Sequence, residues 1–338
     1  MRIKYNVAVV GAGLSGSLVA RRLADAGLKV TLFEKDRSSG GRLKNLLLDS
    51  QPVDIGVPHL PGGSELLTTL KQQWLDAGVI TPWPVDIYDF HNNGEPFTKQ
   101  QKTLYLGTNY QAQVTEALIQ DIDLVCDTRV ISAVAEDGWY LRCDQEETHG
   151  PYDFLIMALP APKVALLLKE FPGLQAMARN VHYIPCWMSV LEFEEPLNPG
   201  FDVAHASDRF NGFPGQNPLY MLIHHNNKPS RSAGKDTWSV YWCARESVEY
   251  KDVSSDEVSE RSLRALEQLL DRPLPAAQVH NHHWLYCQSF DQLNENSYYL
   301  DSDIHMGLCG DWFEPGGLAG AVASAEGLAD ALLKTLPR

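Results

Sequence analysis

Three groups of residues have the types and spacing to do chemistry. The first is Gly11-Ala12-Gly13-Leu14-Ser15-Gly16, with an acid, Glu34, twenty-three residues after the first glycine. In a phosphate-binding turn Gly11 makes the bend, Gly13 lets the main chain approach a pyrophosphate and Gly16 lets a helix lie close on a sheet. The acid accepts hydrogen bonds from ribose hydroxyls. Leu14 and Ser15 open the helix whose free N–H groups would face the pyrophosphate. The ligand so implied is a dinucleotide; this motif alone does not separate FAD from NAD. The second group runs from Glu34 and Lys35 through a polar loop to Gly40-Gly41-Arg42. Its glycines permit another close main-chain approach, and the planar fork of Arg42 suits phosphate oxygens. The third is Gly310-Asp311-Trp312, followed by Gly316-Gly317-Leu318-Ala319-Gly320 near the carboxyl end.

Regular elements must position these groups. Val7 to Val10 is a short apolar run of the kind that forms a buried parallel strand, Leu14 to Ala26 has helical composition, and Lys29 to Phe33 is a second strand ending on Glu34. A helix is expected from Ser64 to Ala77, a hairpin over residues 87–96 with its turn at Asn93-Gly94, and a helix from about Asn109 to Gln120. Strands follow around Leu124 to Cys126, Arg129 to Val134, Trp139 to Cys143 and Tyr152 to Ala158. Beyond Val164 the composition shifts to aromatics and prolines. Strands over Cys186 to Phe193, Leu219 to His224 and Thr237 to Cys243 and a helix over Ser255 to Leu270 predict an antiparallel sheet with helices. Ile304 to Cys309 is a further strand, and the last glycine-rich run opens a final helix. The expected domains are discontinuous: 1–82, 103–163 and 300–338 for the dinucleotide, 83–102 and 164–299 for the substrate.

With 338 residues, 44% of them hydrophobic, the chain can bury two cores. A net charge of −15 disfavours nucleic acid and anionic membrane surfaces as partners. The amino terminus does not read as a secretory signal and no stretch is long enough to span a bilayer, so a cytoplasmic location is expected. Six scattered cysteines (126, 143, 186, 243, 287 and 309) lack CxxC spacing and fit reduced thiols.

The order GxGxxG, acid, GGR, and late in the chain Gly-Asp before a glycine-rich helix, resembles the flavin-containing amine oxidase superfamily, and within it the renalase-type branch and its bacterial members. Carrying the branch resemblance are Tyr88-Asp89-Phe90-His91, Tyr105-Leu106-Gly107, Pro185-Cys186-Trp187, Glu192 to Leu197, Asp236-Thr237-Trp238, His282 to Tyr286 and Cys309 to Trp312. The resemblance implies an α/β, p-hydroxybenzoate-hydroxylase-like two-domain flavoprotein: a Rossmann-type FAD-binding domain and a substrate domain of mixed antiparallel sheet plus helices. It implies FAD held by Gly11, Gly13, Leu14, Ser15, Gly16, Glu34, Lys35, Gly41 and Arg42. Gly56 of the D-x-G segment would lie against the flavin ring and Val130 along the adenine. Gly310 and Asp311 would meet the ribityl chain and pyrophosphate, while Gly317, Leu318 and Ala319 present a helix end to the flavin pyrimidine.

Renalases oxidise the 2- and 6-dihydro isomers of nicotinamide dinucleotides and pass the electrons to dioxygen, so the implied partners are a small-molecule substrate and dioxygen. A dihydropyridine gains aromaticity on losing hydride, so a dry aromatic slot matters more than a strong base. Trp284, Trp187, Trp242 and Tyr286 are the candidate walls, with His59, His224 and Tyr241 as polar handles. The substrate side departs from the branch. Asp54-Ile55-Gly56-Val57-Pro58-His59-Leu60 lacks an aromatic hydroxyl, His224 stands where an arginine is expected, and Tyr241 where a histidine is. Losing an arginine from phosphate oxygens forfeits about 1.5–3 kcal/mol, roughly tenfold or more in affinity. The alternatives are an oxidase, dehydrogenase or desaturase acting on a small cyclic or secondary amine, and a flavin-binding protein without turnover. A metal site at His280, His282 and His283 with His224 and His225 is disfavoured, because no acid or cysteine has ligand spacing.

Overall fold

The computed structural model describes residues 5–49, 51–62, 64–90, 98–213, 216–231, 234–290, 296–315 and 317–337. The buried run Val7 to Val10 forms the strand Asn6–Val10, inside a six-stranded sheet. The strand order is Tyr299–Asp301, Met306–Leu308, Phe154–Met157, Asn6–Val10, Lys29–Phe33 and Asp123–Val125, all parallel except the first. Both faces are covered, which is why its strands read as continuous apolar runs. Val7, Val9, Leu32 and Ile156 pack against the helices Leu14–Asp25 and Leu318–Thr335. Val10, Phe33, Leu155 and Met157 pack against a three-stranded sheet and the helices Ala161–Leu167 and Pro172–Arg179. The first of these helices straddles the boundary after residue 163, where the substrate domain was expected to begin, and the second lies beyond it.

A seven-stranded sheet forms the second layer, in the order Ala277–Ser289, Tyr183–Phe193, Asp236–Trp242, Leu219–His224, Val203–Ala206, Ile80–Phe90 and Thr98–Gly107. All its neighbours are antiparallel except Val203–Ala206 with Ile80–Phe90. One face, which we call inner, packs on Val53 and Ile55 of the first domain. The outer face packs on the helix Ser255–Leu270, where Val258, Ala265 and Leu266 are buried. Ile80–Phe90 and Thr98–Gly107 make the expected hairpin; its turn at Asn93-Gly94, and His91 beside it, lie outside the described residues. Ser64 caps the helix Glu65–Asp76 by accepting from the Leu67 N–H. The helix expected from Asn109 starts later, at Gln113–Leu118, because the Asn109 N–H and the buried Gly107 N–H go to the side chains of Gln113 and Gln111. Among the described residues no helix is long and apolar enough to cross a membrane.

Candidate active site

The two amino-terminal glycine turns interlock. A Cβ on Gly16 would stand 1.8 Å from the Gly11 carbonyl oxygen, so only glycine lets this helix lie so close. Gly41, at φ +54°, would put a Cβ 2.9 Å from the Gly13 Cα, and the Gly40 N–H donates to the Ala12 carbonyl at 2.9 Å. Leu14–Asp25 and Leu318–Thr335 both begin after a glycine, with no side-chain cap and no acid in the first turn. Their first N–H groups are left for an outside acceptor. Ser15 Oγ donates to the Ala321 carbonyl at 3.0 Å, which ties the two helix starts together, and a Cβ on Gly317 would meet nothing within 4 Å. Leu318 and Ala319 form the first turn of that last helix.

Glu34 accepts from the N–H groups of Ala12 and Asp36, each at 3.0 Å. A carboxylate has about four lone-pair positions, so two remain for ribose hydroxyls. Burial raises its pKa. Lys35 turns away to Asp36 at 2.8 Å, which it shares with Lys44. Val130 packs with Val10 and Phe33 beside this end of the sheet. From the far end of the sequence Asp311 reaches Arg42: two oxygens meet two guanidinium nitrogens at 2.6 Å each. Gly310, just before it, donates its N–H to Ser324 Oγ of the last helix.

The inner face of the second sheet closes on Gly56. Trp284 Nε1 donates to the Ile55 carbonyl at 2.7 Å and the Tyr241 hydroxyl to the Gly56 carbonyl at 3.0 Å. A Cβ on Gly56 would lie 1.9 Å from the Arg42 carbonyl oxygen. Thus the arginine of one motif and the glycine of the next share a contact, clamped by two aromatic residues. Beneath the clamp Asp54 is fully buried. Its Oδ2 meets Lys228 Nζ at 2.9 Å and Arg231 at 3.1 Å, and its Oδ1 accepts from the Gln111 N–H at 2.8 Å. Burial alone would raise this carboxyl, but Lys228 and Arg231 outweigh it and hold it well below the usual carboxylate range. His59 stands 6.4 Å from His205, ring to ring, and burial lowers its pKa to about 4, so it is neutral near pH 7.

Three of the expected substrate residues lie on the outer face. Trp242 donates to Ser262 of the helix Ser255–Leu270 at 2.8 Å. Trp187 stacks on His283 at 4.0 Å and donates to the Tyr250 carbonyl. His224 stacks on Trp238 and bonds Asp236 at 2.6 Å; burial opposes its charge, but Asp202 and Asp236 outweigh that and raise its pKa. Side chains alternate between faces along a strand, so the neighbour of Tyr241 has to point away from it. Tyr286 packs edge-on against Tyr183 at 5.5 Å. The histidines are dispersed: His280 bonds Glu192, His282 packs on Trp284, and His225 bonds Ser239. Residues the sequence did not single out complete the inner face, namely His205, Tyr220 and Arg209. The Arg209 guanidinium lies 5.1 Å over the Tyr220 ring, which is 6.2 Å from that of Tyr241.

The family described as flavin containing amine oxidoreductase matches residues 102–333, and an NAD(P)-binding Rossmann-like domain matches residues 9–72. The chain belongs to the flavin-containing amine oxidoreductase family. The family is one of flavin-containing oxidoreductases, so FAD is the cofactor it implies, and the uncapped helix starts, the interlocked glycines and the Arg42–Asp311 pair fit that dinucleotide. Hydroxyneurosporene desaturase of Rubrivivax gelatinosus is 44% identical over 52 residues, 15% of this chain and 10% of that protein. 4,4'-Diapophytoene desaturase of Staphylococcus aureus strain Newman is 44% identical over 50 residues, with the same coverage. The matched part thus spans about a tenth of the length of these curated relatives. Cyclohexylamine oxidase from Brevibacterium oxydans superposes with a TM-score of 0.74 at 12% identity, over 99% of this chain and 100% of that one. An oxidoreductase from Methanosarcina mazei gives 0.70 at 14% identity, over 98% and 100%. At such identities the amine-oxidoreductase likeness to these structures is one of fold.

Proposed function

We propose that the protein is an FAD-dependent oxidase of the renalase type, taking hydride from a carbon next to nitrogen in a dihydronicotinamide dinucleotide. Bound by the glycine turns and the Arg42–Asp311 pair, FAD would supply a two-electron acceptor for hydride that can be reoxidised by dioxygen. The chain's own part is to bind, orient and keep out water. Trp284 and Tyr241 fix the Ile55-Gly56 main chain and provide flat apolar surface for a planar ring. Neutral His59 can exchange hydrogen bonds without repelling a cationic pyridinium product. The observation that carries the reading is Arg209, which bonds Tyr220 and forms no ion pair among the described residues. A fixed cation there suits a substrate's phosphate and repels an ammonium. It supplies an arginine beside the inner-face Tyr220, whereas position 224, where an arginine was expected, faces outward against Trp238. The pair Tyr220 and Tyr241 favours a second reading, oxidation of a neutral cyclic or secondary amine, and the cyclohexylamine oxidase of like fold agrees with it.

Anaerobic mixing with borohydride-reduced NAD isomers, and separately with an amine panel, separates the two. Bleaching of the flavin by the dinucleotides is expected, and Arg209→Ala should raise their KM about tenfold or more with little change in kcat. Bleaching by amines alone would overturn the first reading. Bleaching by dithionite alone would leave a binding protein without turnover.

A further inference from the structure

Cys186 and Cys287 meet across an irregularity in the second sheet. Ile184 pairs with Gln288 and Cys186 with Trp284, so a step of two residues on Tyr183–Phe193 is matched by four on Ala277–Ser289. Such a bulge pushes surplus residues out of the ladder and re-aims their side chains. Here it carries Cys287 onto the face to which Cys186 points, in the apolar cluster that holds Tyr241 and Trp284. The Cys186 thiol has two carbonyl acceptors, Trp187 at 3.3 Å and Trp242 at 3.6 Å, and its side chain interacts with that of Cys287. None of Cys126, Cys143, Cys243 and Cys309 has a thiol as a hydrogen-bond partner among the described residues.

The surroundings make the two sulfurs unequal. The carbonyls of Trp187 and Trp242 keep the Cys186 proton in place, and the interaction with Cys287 together with burial raises its pKa; at Cys287 the interaction with Cys186, with Arg42 and Arg209 nearby, lowers the pKa against burial. The Cys287 carbonyl itself accepts from Arg42 at 3.0 Å, which puts this residue against the cradle formed by Arg42 and Asp311. A sulfur beside guanidinium groups, in one cluster with a thiol held protonated by carbonyl acceptors, is the arrangement of an attacking and a resolving thiol.

We propose that Cys186 and Cys287 are a peroxide-sensitive dithiol, which hydrogen peroxide converts to a cross-strand disulfide beside the flavin cradle. The Cys287 thiolate attacks one peroxide oxygen, the O–O bond breaks, and with one proton taken up the products are a sulfenic acid and water. The Cys186 sulfur then attacks the sulfenic sulfur, forming the S–S bond and releasing a second water. Both thiols lose one hydrogen and peroxide is reduced to two waters. That the peroxide arises in this site rests on the oxidase reading; the thiol chemistry does not, because added peroxide tests it.

The holoenzyme is treated with stoichiometric hydrogen peroxide, alkylated with iodoacetamide, digested without reduction and analysed by mass spectrometry. The expected result is a linked pair of peptides containing Cys186 and Cys287, with the other four cysteines alkylated. Cys186→Ser should leave a sulfenic acid at position 287 that dimedone traps, and Cys287→Ser should give neither product, each variant being checked for retained flavin absorbance. Alkylation of both thiols after peroxide, oxidation of Cys126 in preference, or dimedone labelling of Cys287→Ser at the wild-type level would overturn the proposal. Cross-linking in a protein that no substrate reduces would uphold it while sinking the oxidase reading.

Discussion

Asp54→Asn tests how the first domain presents Gly56 to the second. Both Asp54 and Lys228 have fully buried side chains, and Arg231 is 5% exposed. The carboxylate takes both cations on Oδ2 and the Gln111 N–H on Oδ1. An amide keeps one acceptor: either its NH₂ points at two buried cations, or the cations keep the oxygen and two N–H donors face each other at Gln111. Breaking a buried ion pair from one side costs about 3–5 kcal/mol, and the expected loss falls in that range. Lys228→Met leaves Asp54 with Arg231 and the Gln111 N–H, so it should cost less, about 1–3 kcal/mol. In the double variant Arg231 still has the carbonyls of Thr108 and Gly107. The two losses should therefore fall short of additivity by about 1 kcal/mol or more. Urea denaturation of the four proteins, read as midpoint and slope, gives the cycle. An Asp54→Asn loss under about 1 kcal/mol, or strict additivity, would refute the reasoning.

Gly16→Ala should lower the thermal midpoint and abolish stable FAD retention, because its Cβ would collide with the Gly11 carbonyl at 1.8 Å; normal retention on gel filtration would contradict the packing described. Trp242→Phe should reduce stability and leave substrate KM within about twofold, whereas Trp284→Phe, which gives up the bond to the Ile55 carbonyl, should change KM and the flavin spectrum. The reverse pattern would place the substrate on the other face. Stability should also fall with acid. Burial lowers His59 and His282 to about 4, so from pH 6.5 down to 4 the unfolded chain takes up protons that the folded one refuses. Their contribution is complete above the unfolded pKa and lost through that window, and thermal melts in His59→Gln should show a shallower decline; an unchanged slope would count against it.

The geometry of the half of the site proposed to hold FAD was legible because it is built from local contacts. Gly16 must be glycine for a contact only five residues away in sequence, and Glu34 ends a strand whose pattern is plain. The substrate half depends on parity. Tyr241 and Trp242 are equally apolar neighbours, and nothing in their order says which faces the flavin domain. The surplus residues opposite Pro185 shift that parity again, so neither the alternation of Ala277–Ser289 nor the approach of Cys287 to Cys186 could be read. Arg209 and Lys228 stand outside the strands, where periodicity carries no signal. Their roles follow from Tyr220 and Asp54, which lie far from them or on another element.

We propose that both ends of the chain hold one FAD through Arg42 and Asp311, and titration of apoprotein with FAD, followed by flavin fluorescence, tests this. One FAD should bind per chain, with Arg42→Ala and Asp311→Ala each weakening binding about tenfold or more through loss of a charge-assisted hydrogen bond. Apoprotein that takes up no FAD, or an Asp311→Ala variant that binds it as tightly as the parent, would contradict it.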